Sequence, residues 1–145
     1  MLVVDANVLL YAVNEDAPGD RAARRWLDDA LDSVQPVAFT WTVLLAFVRL
    51  ATNAALFPQP LDVEQAVAVV RGWLQRPAAL VVHPTPRHLD VLAALLSPLG
   101  SAANIVNDAH LAALATEHGA TVVSFDRDFA RFAGVRWRQP PPVVD

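Results

Sequence analysis

Leu2, Val3 and Val4 form an apolar run that stops at Asp5, and similar short apolar runs return at 37–40 (VAFT), 80–82 (LVV) and 120–124 (ATVVS). Segments apolar throughout, rather than at alternate positions, predict strands buried on both faces. Pro36 introduces the second run, Pro84 and Pro86 close the third, and the fourth leads into FDRDF. GVRW at 134–137 reads as a short edge strand.

Between these runs the apolar period changes to that of a helix. Residues after Asn7 predict a short helix ending near a turn at 16–19, with Pro18 as breaker. Asp20 reads as the cap of a helix with Ala23, Trp26, Leu27, Ala30 and Leu31 on one face. A helix through 41–51 follows, then a loop at 53–60 with two prolines. Asp62 reads as the cap of the next helix, with Val63, Ala66, Val67, Val70 and Leu74 on one face and Pro77 past its end. A helix at 88–96 stops before Pro98 and Gly100. Asn104 or Asn107 reads as the cap of the helix carrying Asp108, Leu111, Ala112, Leu114 and Ala115, with Gly119 as its stop. Buried strands alternating with amphipathic helices predict a parallel sheet covered on both faces, an α/β/α arrangement. No repeat or linker interrupts it, so residues 1–145 read as a single domain, with 139–145 an extended Pro-rich tail.

Composition narrows the chemistry. With no cysteine, thiolate metal sites and cysteine nucleophiles are excluded. All eleven basic residues are Arg, which excludes Schiff-base catalysis and any phosphate-binding Lys. A net charge of -4 gives no overall basic field for nucleic acid. The N-terminus has no basic leader, and the uncharged apolar stretch at 34–48 is too short for a bilayer span. A soluble, cytoplasmic protein is expected, with no membrane partner.

Ligands of open α/β sheets bind beyond the carboxyl ends of the strands. Asp5 and Asp126 follow two such ends, Asp128 comes two residues later, and Asp108 falls in the first turn of a helix. Singly, each has an ordinary role as a cap, turn or first-turn acid, and Asp128 equally reads as the cap of a turn at 128–132. His83, His88 and His118 read as surface or cap residues, and a helix turns His110 about 200° from Asp108. Together, Asp5, Asp108 and Asp126 converge if their strands are adjacent. Two such charges about 4 Å apart repel by roughly 4 kcal/mol at an effective dielectric of 20. A divalent cation removes the conflict, and an all-oxygen donor set selects Mg²⁺ or Mn²⁺. That points to hydrolysis of phosphate esters or nucleic acid. A phosphatase of the haloacid-dehalogenase kind needs a second Asp two residues after the first, where this chain has Asn7.

The segments VVDANVLLYA (3–12), WTVLLAFVRLATN (41–53), NDAHLAALATEHGATVVSFDRDFARF (107–132) and GVRW (134–137) resemble the PIN domain, and within it the VapC toxins of bacterial toxin–antitoxin pairs. The resemblance implies a four- or five-stranded parallel sheet, a homodimer, Mg²⁺-dependent endoribonuclease activity (Mn²⁺ as the alternative ion) and a cognate VapB-type antitoxin. It puts the catalytic, metal-holding acids at Asp5, Asp108 and Asp126, and Asn7, Ser124 and Asp128 at secondary positions. Where many relatives carry a further acid, usually Glu, this chain has Ala46, which leaves open a degenerate PIN domain that only binds a partner. Arg49, Arg127 and Arg131 are the candidates for RNA phosphate contact, against a reading in which Arg49 supports its helix end and the others are solvated. Trp26, Trp41, Trp73 and Trp137 read as core or dimer-interface residues.

Overall fold

A computed structural model describes residues 1–15, 19–100 and 104–144. The apolar runs form β1 (Leu2–Val4), β2 (Val37–Phe39), β3 (Ala79–Val81) and β4 (Thr121–Val123), joined at the edge by β5 (Trp137–Arg138). The sheet is five-stranded in the order β3-β2-β1-β4-β5, and every pairing is parallel. The order reverses between β1 and β4, which makes the crevice beyond their carboxyl ends the topological switch point.

Among the described residues, six α-helices complete the α/β/α fold: α1 (Ala6–Val13), α2 (Asp20–Leu31), α3 (Trp41–Ala51), α4 (Val63–Leu74), α5 (His88–Leu96) and α6 (Val106–Glu117). α1 packs against α2 and α3, and α5 against α6. Cover on both faces is why β1 and β2 are buried at every residue. Val3, Val4, Phe39, Val122 and Val123 form the sheet's part of the core. Trp73 of α4 stacks on Phe39 at 6.3 Å and meets Phe47 of α3 edge-on at 4.8 Å between centroids. Trp26 is also buried, Trp137 half-buried, and Trp41 is 51% exposed.

Several caps differ from expectation. Gly19, not Asp20, precedes α2; its φ of 84° places the ring of Phe125 3.5 Å from where a Cβ would stand. Asp20 is already helical. Residues 16–18, with the expected Pro18 breaker, lie outside the described residues. Neither Asn104 nor Asn107 caps α6: Ile105 holds that place and offers no side-chain acceptor. Asp62 does cap α4, through a reciprocal box with Gln65. The buried stripe of α4 is carried by Ala66 and Trp73, and Val63 and Val67 of the expected face are exposed. The edge strand falls at 137–138 rather than 134–137, because Gly134, at φ 76°, turns the chain first. Pro140 is buried, and residues 141–144 continue without regular structure.

Candidate functional site

In the parallel register of β1 and β4, Val4 lies opposite Val123. The residues that leave the two strands, Asp5 and Ser124, therefore emerge side by side. Asp5 is the N-cap of α1, with Oδ1 accepting from the Ala6 amide at 2.7 Å, while its own N–H donates to the Val123 carbonyl. Its second oxygen accepts from the Ser124 hydroxyl at 2.7 Å.

Ser124 is fully buried. Besides donating to Asp5, its Oγ accepts from Asn7 Nδ2 at 3.0 Å and from the Asp126 amide at 3.0 Å. Asn7 Oδ1 takes the Phe125 amide at 3.2 Å, which fixes the orientation of its side-chain amide. One hydroxyl thus ties together the ends of two strands and the start of the segment carrying Asp126. Asp126 is the N-cap of a 3-10 helix at Arg127–Arg131, accepting from the Asp128 amide at 2.8 Å. Asp126 therefore does the capping that the sequence left open for Asp128.

Asp108 enters from the first turn of α6. Asp108, Asp126 and Asp128 each offer a carboxylate oxygen, and these atoms lie within 4.8 Å of one another. Burial, with Asp5, Asp126 and Asp128 as neighbouring anions, pushes Asp108 up to about 7. The helix N-terminus favours an anion, typically by 0.3–1 kcal/mol, and here the burial and repulsion outweigh it. Burial also raises Asp5 above its ordinary value, against the bonds from Ser124 and Ala6 that lower it, and Asp126 adds to the rise. At the carboxyl ends of β1 and β4, protein donors thus only partly compensate Asp5 and Asp108. The donor set is all oxygen, compact and charge-rich, which fits a hard divalent cation.

Asp5 and Asp108 also line a depression of about 470 Å³ with Thr42, Ala46, Arg49 and Asn107. Position 46 thus faces the acids with a methyl group, while Phe47 beside it is fully buried in the core. Of the three expected phosphate contacts, Arg49 reaches this depression, whereas Arg127 and Arg131 are exposed on the 3-10 helix.

The histidines hold a feature that sequence spacing missed. His88 is not a surface or cap residue: its Nδ1 pairs with Glu117 Oε2 at 2.5 Å, and its Nε2 meets His110 Nδ1 at 2.8 Å. Glu117 also accepts from the amide and hydroxyl of Thr85. These donors outweigh its burial and hold Glu117 below its ordinary value. His118 lies at the surface as expected, its Nε2 donating to the His83 carbonyl at 2.7 Å. The His88–Glu117 pair fastens α5 to the far end of α6 from Asp108. Only the i, i+7 spacing of His110 and Glu117 hinted that they share a face.

Residues 2–135 match the family model of the PIN domain. The chain is 56% identical over 144 residues to Ribonuclease VapC37 of Mycobacterium tuberculosis, covering 99% of this chain and 100% of that one. Its fold is similar to that of VapBC2 from Rickettsia felis, solved bound to a DNA fragment from their promoter (TM-score 0.71, 17% identity, 95% of this chain and 97% of that chain). It is also similar to Mycobacterium tuberculosis VapC20, a Sarcin-Ricin loop cleaving toxin (TM-score 0.65, 20% identity, 94% and 99% covered).

Proposed function

The chain belongs to the PIN-domain family, among the VapC ribonucleases, and on that premise we propose that it is the toxin of a type II toxin–antitoxin pair, an endoribonuclease that hydrolyses RNA phosphodiester bonds with Mg²⁺ or Mn²⁺. The observation that carries this reading is the meeting of Asp5, Asp108, Asp126 and Asp128 at the switch point, with Asp108 raised to about 7.

Asp108 and Asp126, with Asp5 and Asp128 beside them, would hold the cation. A bound divalent cation supplies charge neutralisation, activation of water and Lewis-acid stabilisation of the phosphodiester. The protein's share is to fix the donors in place. Ser124 and Ala6 hold both oxygens of Asp5, Asn7 holds Ser124, and the capping bond to Asp128 aims Asp126. With its value raised to about 7, Asp108 is partly protonated near neutral pH when no cation is present, and a bound cation would favour the ionised form. Arg49 supports substrate binding by offering a guanidinium to RNA phosphate.

A cognate VapB-type antitoxin and a cytoplasmic site of action complete the reading. The described residues contain no helix long and apolar enough to cross a membrane. A homodimer is proposed with the exposed Trp41 and Leu45 of α3 as interface candidates. Ala46 favours one second reading, a binding partner with weak or no nuclease activity.

Purified protein incubated with total RNA tests the assignment. Cleavage is expected with Mg²⁺ or Mn²⁺, none in EDTA, and none with Asp5→Ala or Asp108→Asn, while both variants keep the fold. Full cleavage by either folded variant overturns the site assignment. No Mn²⁺ binding and no cleavage by the wild type favours the second reading. Capture of the chain by a short DNA-binding protein encoded upstream supports the toxin assignment.

A further inference from the structure

Thr42, Leu45, Ala46 and Arg49 recur at the spacing of one helical face, and all four line the depression shared with Asp5 and Asp108. Arg49 is the sole basic residue of that lining. Its guanidinium is exposed and makes no hydrogen bond or ion pair among the described residues, although Asp5 and Asp108 line the same depression. An acid at position 46 would sit three residues before Arg49 on the same helix, where opposite charges pair. It would also add a further anion to a depression already lined by Asp5 and Asp108.

We infer that Ala46 leaves Arg49 free to receive an RNA phosphate, so that substrate phosphate fills the anionic place an acid at 46 would occupy. The inference rests on the ribonuclease reading and specifies how its site takes substrate. It follows that the protein holds RNA through Arg49 before any cation binds. Bare cation affinity is correspondingly low, and phosphate oxygens complete the cation's shell, as Mg²⁺ usually requires. Arg49 acts here by binding and positioning; it takes no part in proton transfer.

The test measures the two affinities separately, without relying on cleavage. Fluorescence anisotropy of a labelled single-stranded RNA of mixed sequence in EDTA reads the phosphate contact, and calorimetry with Mn²⁺ alone reads the cation. Arg49→Ala is expected to weaken RNA binding in EDTA about tenfold, the usual loss for a charge-assisted hydrogen bond. It should also reduce the slope of log K against log salt by about 0.7, the share of one phosphate contact on a single strand. Arg49→Lys should keep most of that slope, which a merely structural role at the helix end would not predict. Ala46→Glu should tighten Mn²⁺ binding while weakening RNA binding in EDTA by a similar factor.

Wild-type RNA affinity in EDTA for either Arg49→Ala or Ala46→Glu overturns the inference. So does a wild type that cleaves RNA with Mn²⁺ yet binds none in EDTA, and in that case the ribonuclease reading stands. A wild type that neither binds nor cleaves RNA under any condition overturns the ribonuclease reading itself.

Discussion

Ser124 donates its hydroxyl to Asp5 Oδ2 at 2.7 Å, joining two residues 119 positions apart in sequence through the adjacency of β1 and β4. The same oxygen receives Asn7 and the Asp126 amide, so three polar groups of the site depend on one buried side chain. Ser124→Ala leaves all three short of a partner. An unsatisfied buried polar group costs about 1–3 kcal/mol, and a loss in that range is expected in urea unfolding. Asp5 should titrate higher in the variant, and cation affinity should fall. An unchanged unfolding midpoint would show that the hydroxyl holds nothing together.

Asp108→Asn and Asp126→Asn should each abolish cleavage and, without added cation, raise the melting temperature at pH 8. Asp108→Asn removes the carboxylate that burial and neighbouring anions raise, and Asp126→Asn removes one of those anions. Loss of activity combined with gain of stability separates a functional carboxylate from a structural one. A variant that is inactive and also destabilised at that pH would argue for a structural role.

The same cluster sets a pH dependence. Asp108 rises from 3.8 to about 7 on folding, so the folded state binds the extra proton between those values. Stability from this group is present at low pH and is lost as pH rises through about 7. Cation-free protein should therefore lose this contribution progressively from about pH 4, with the loss complete by pH 8, and Asp108→Asn should flatten the change. Mn²⁺ should restore most stability at pH 8, where the carboxylates are ionised, and little at pH 5. Differential scanning fluorimetry across that range, with EDTA and with Mn²⁺, checks each part.

Glu117 works in the opposite sense. Its folded value is depressed, so its contribution is present above 4.5 and is lost as pH falls through the lower folded value. Glu117→Ala removes the acceptor of His88 and of both Thr85 donors. It should cost about 1–3 kcal/mol at neutral pH. Glu117 lies nine residues along α6 from Asp108, a rise of about 13 Å. Cleavage per folded molecule should therefore stay at the wild-type level, and a large fall in kcat with the fold intact would contradict that separation.

The apolar runs at 2–4, 37–40 and 120–124 contain the strands observed at 2–4, 37–39 and 121–123, because burial on both faces favours segments that are apolar throughout. The helices of 41–51 and 88–96 were legible to the residue. Their boundaries are set by short-range chemistry, such as the Thr40 cap that accepts from the Val43 amide at 3.3 Å. Caps failed where the chain supplied none: the cap position before α6 is Ile105, which has no side-chain acceptor, and α2 follows a glycine in the left-handed region. Local rules that expect Asn or Asp at those places had nothing to find.

By itself, then, the sequence determined the alternation of buried strands and amphipathic helices, the absence of thiol and lysine chemistry, and the positions of acids at strand ends. Strand order belongs to the tertiary structure. Which strand lies beside β1 depends on how the helices pack across both faces, and that choice sets Ser124 against Asp5 and brings Asp126 toward Asp108. It also decided that Asp128 joins the acids, that Arg49 alone of the three arginines reaches their depression, and that His88 and Glu117 close on each other between α5 and α6. Charges far apart along the chain influence one another only once folding has removed the water between them, and no pattern of neighbouring residues encodes that distance.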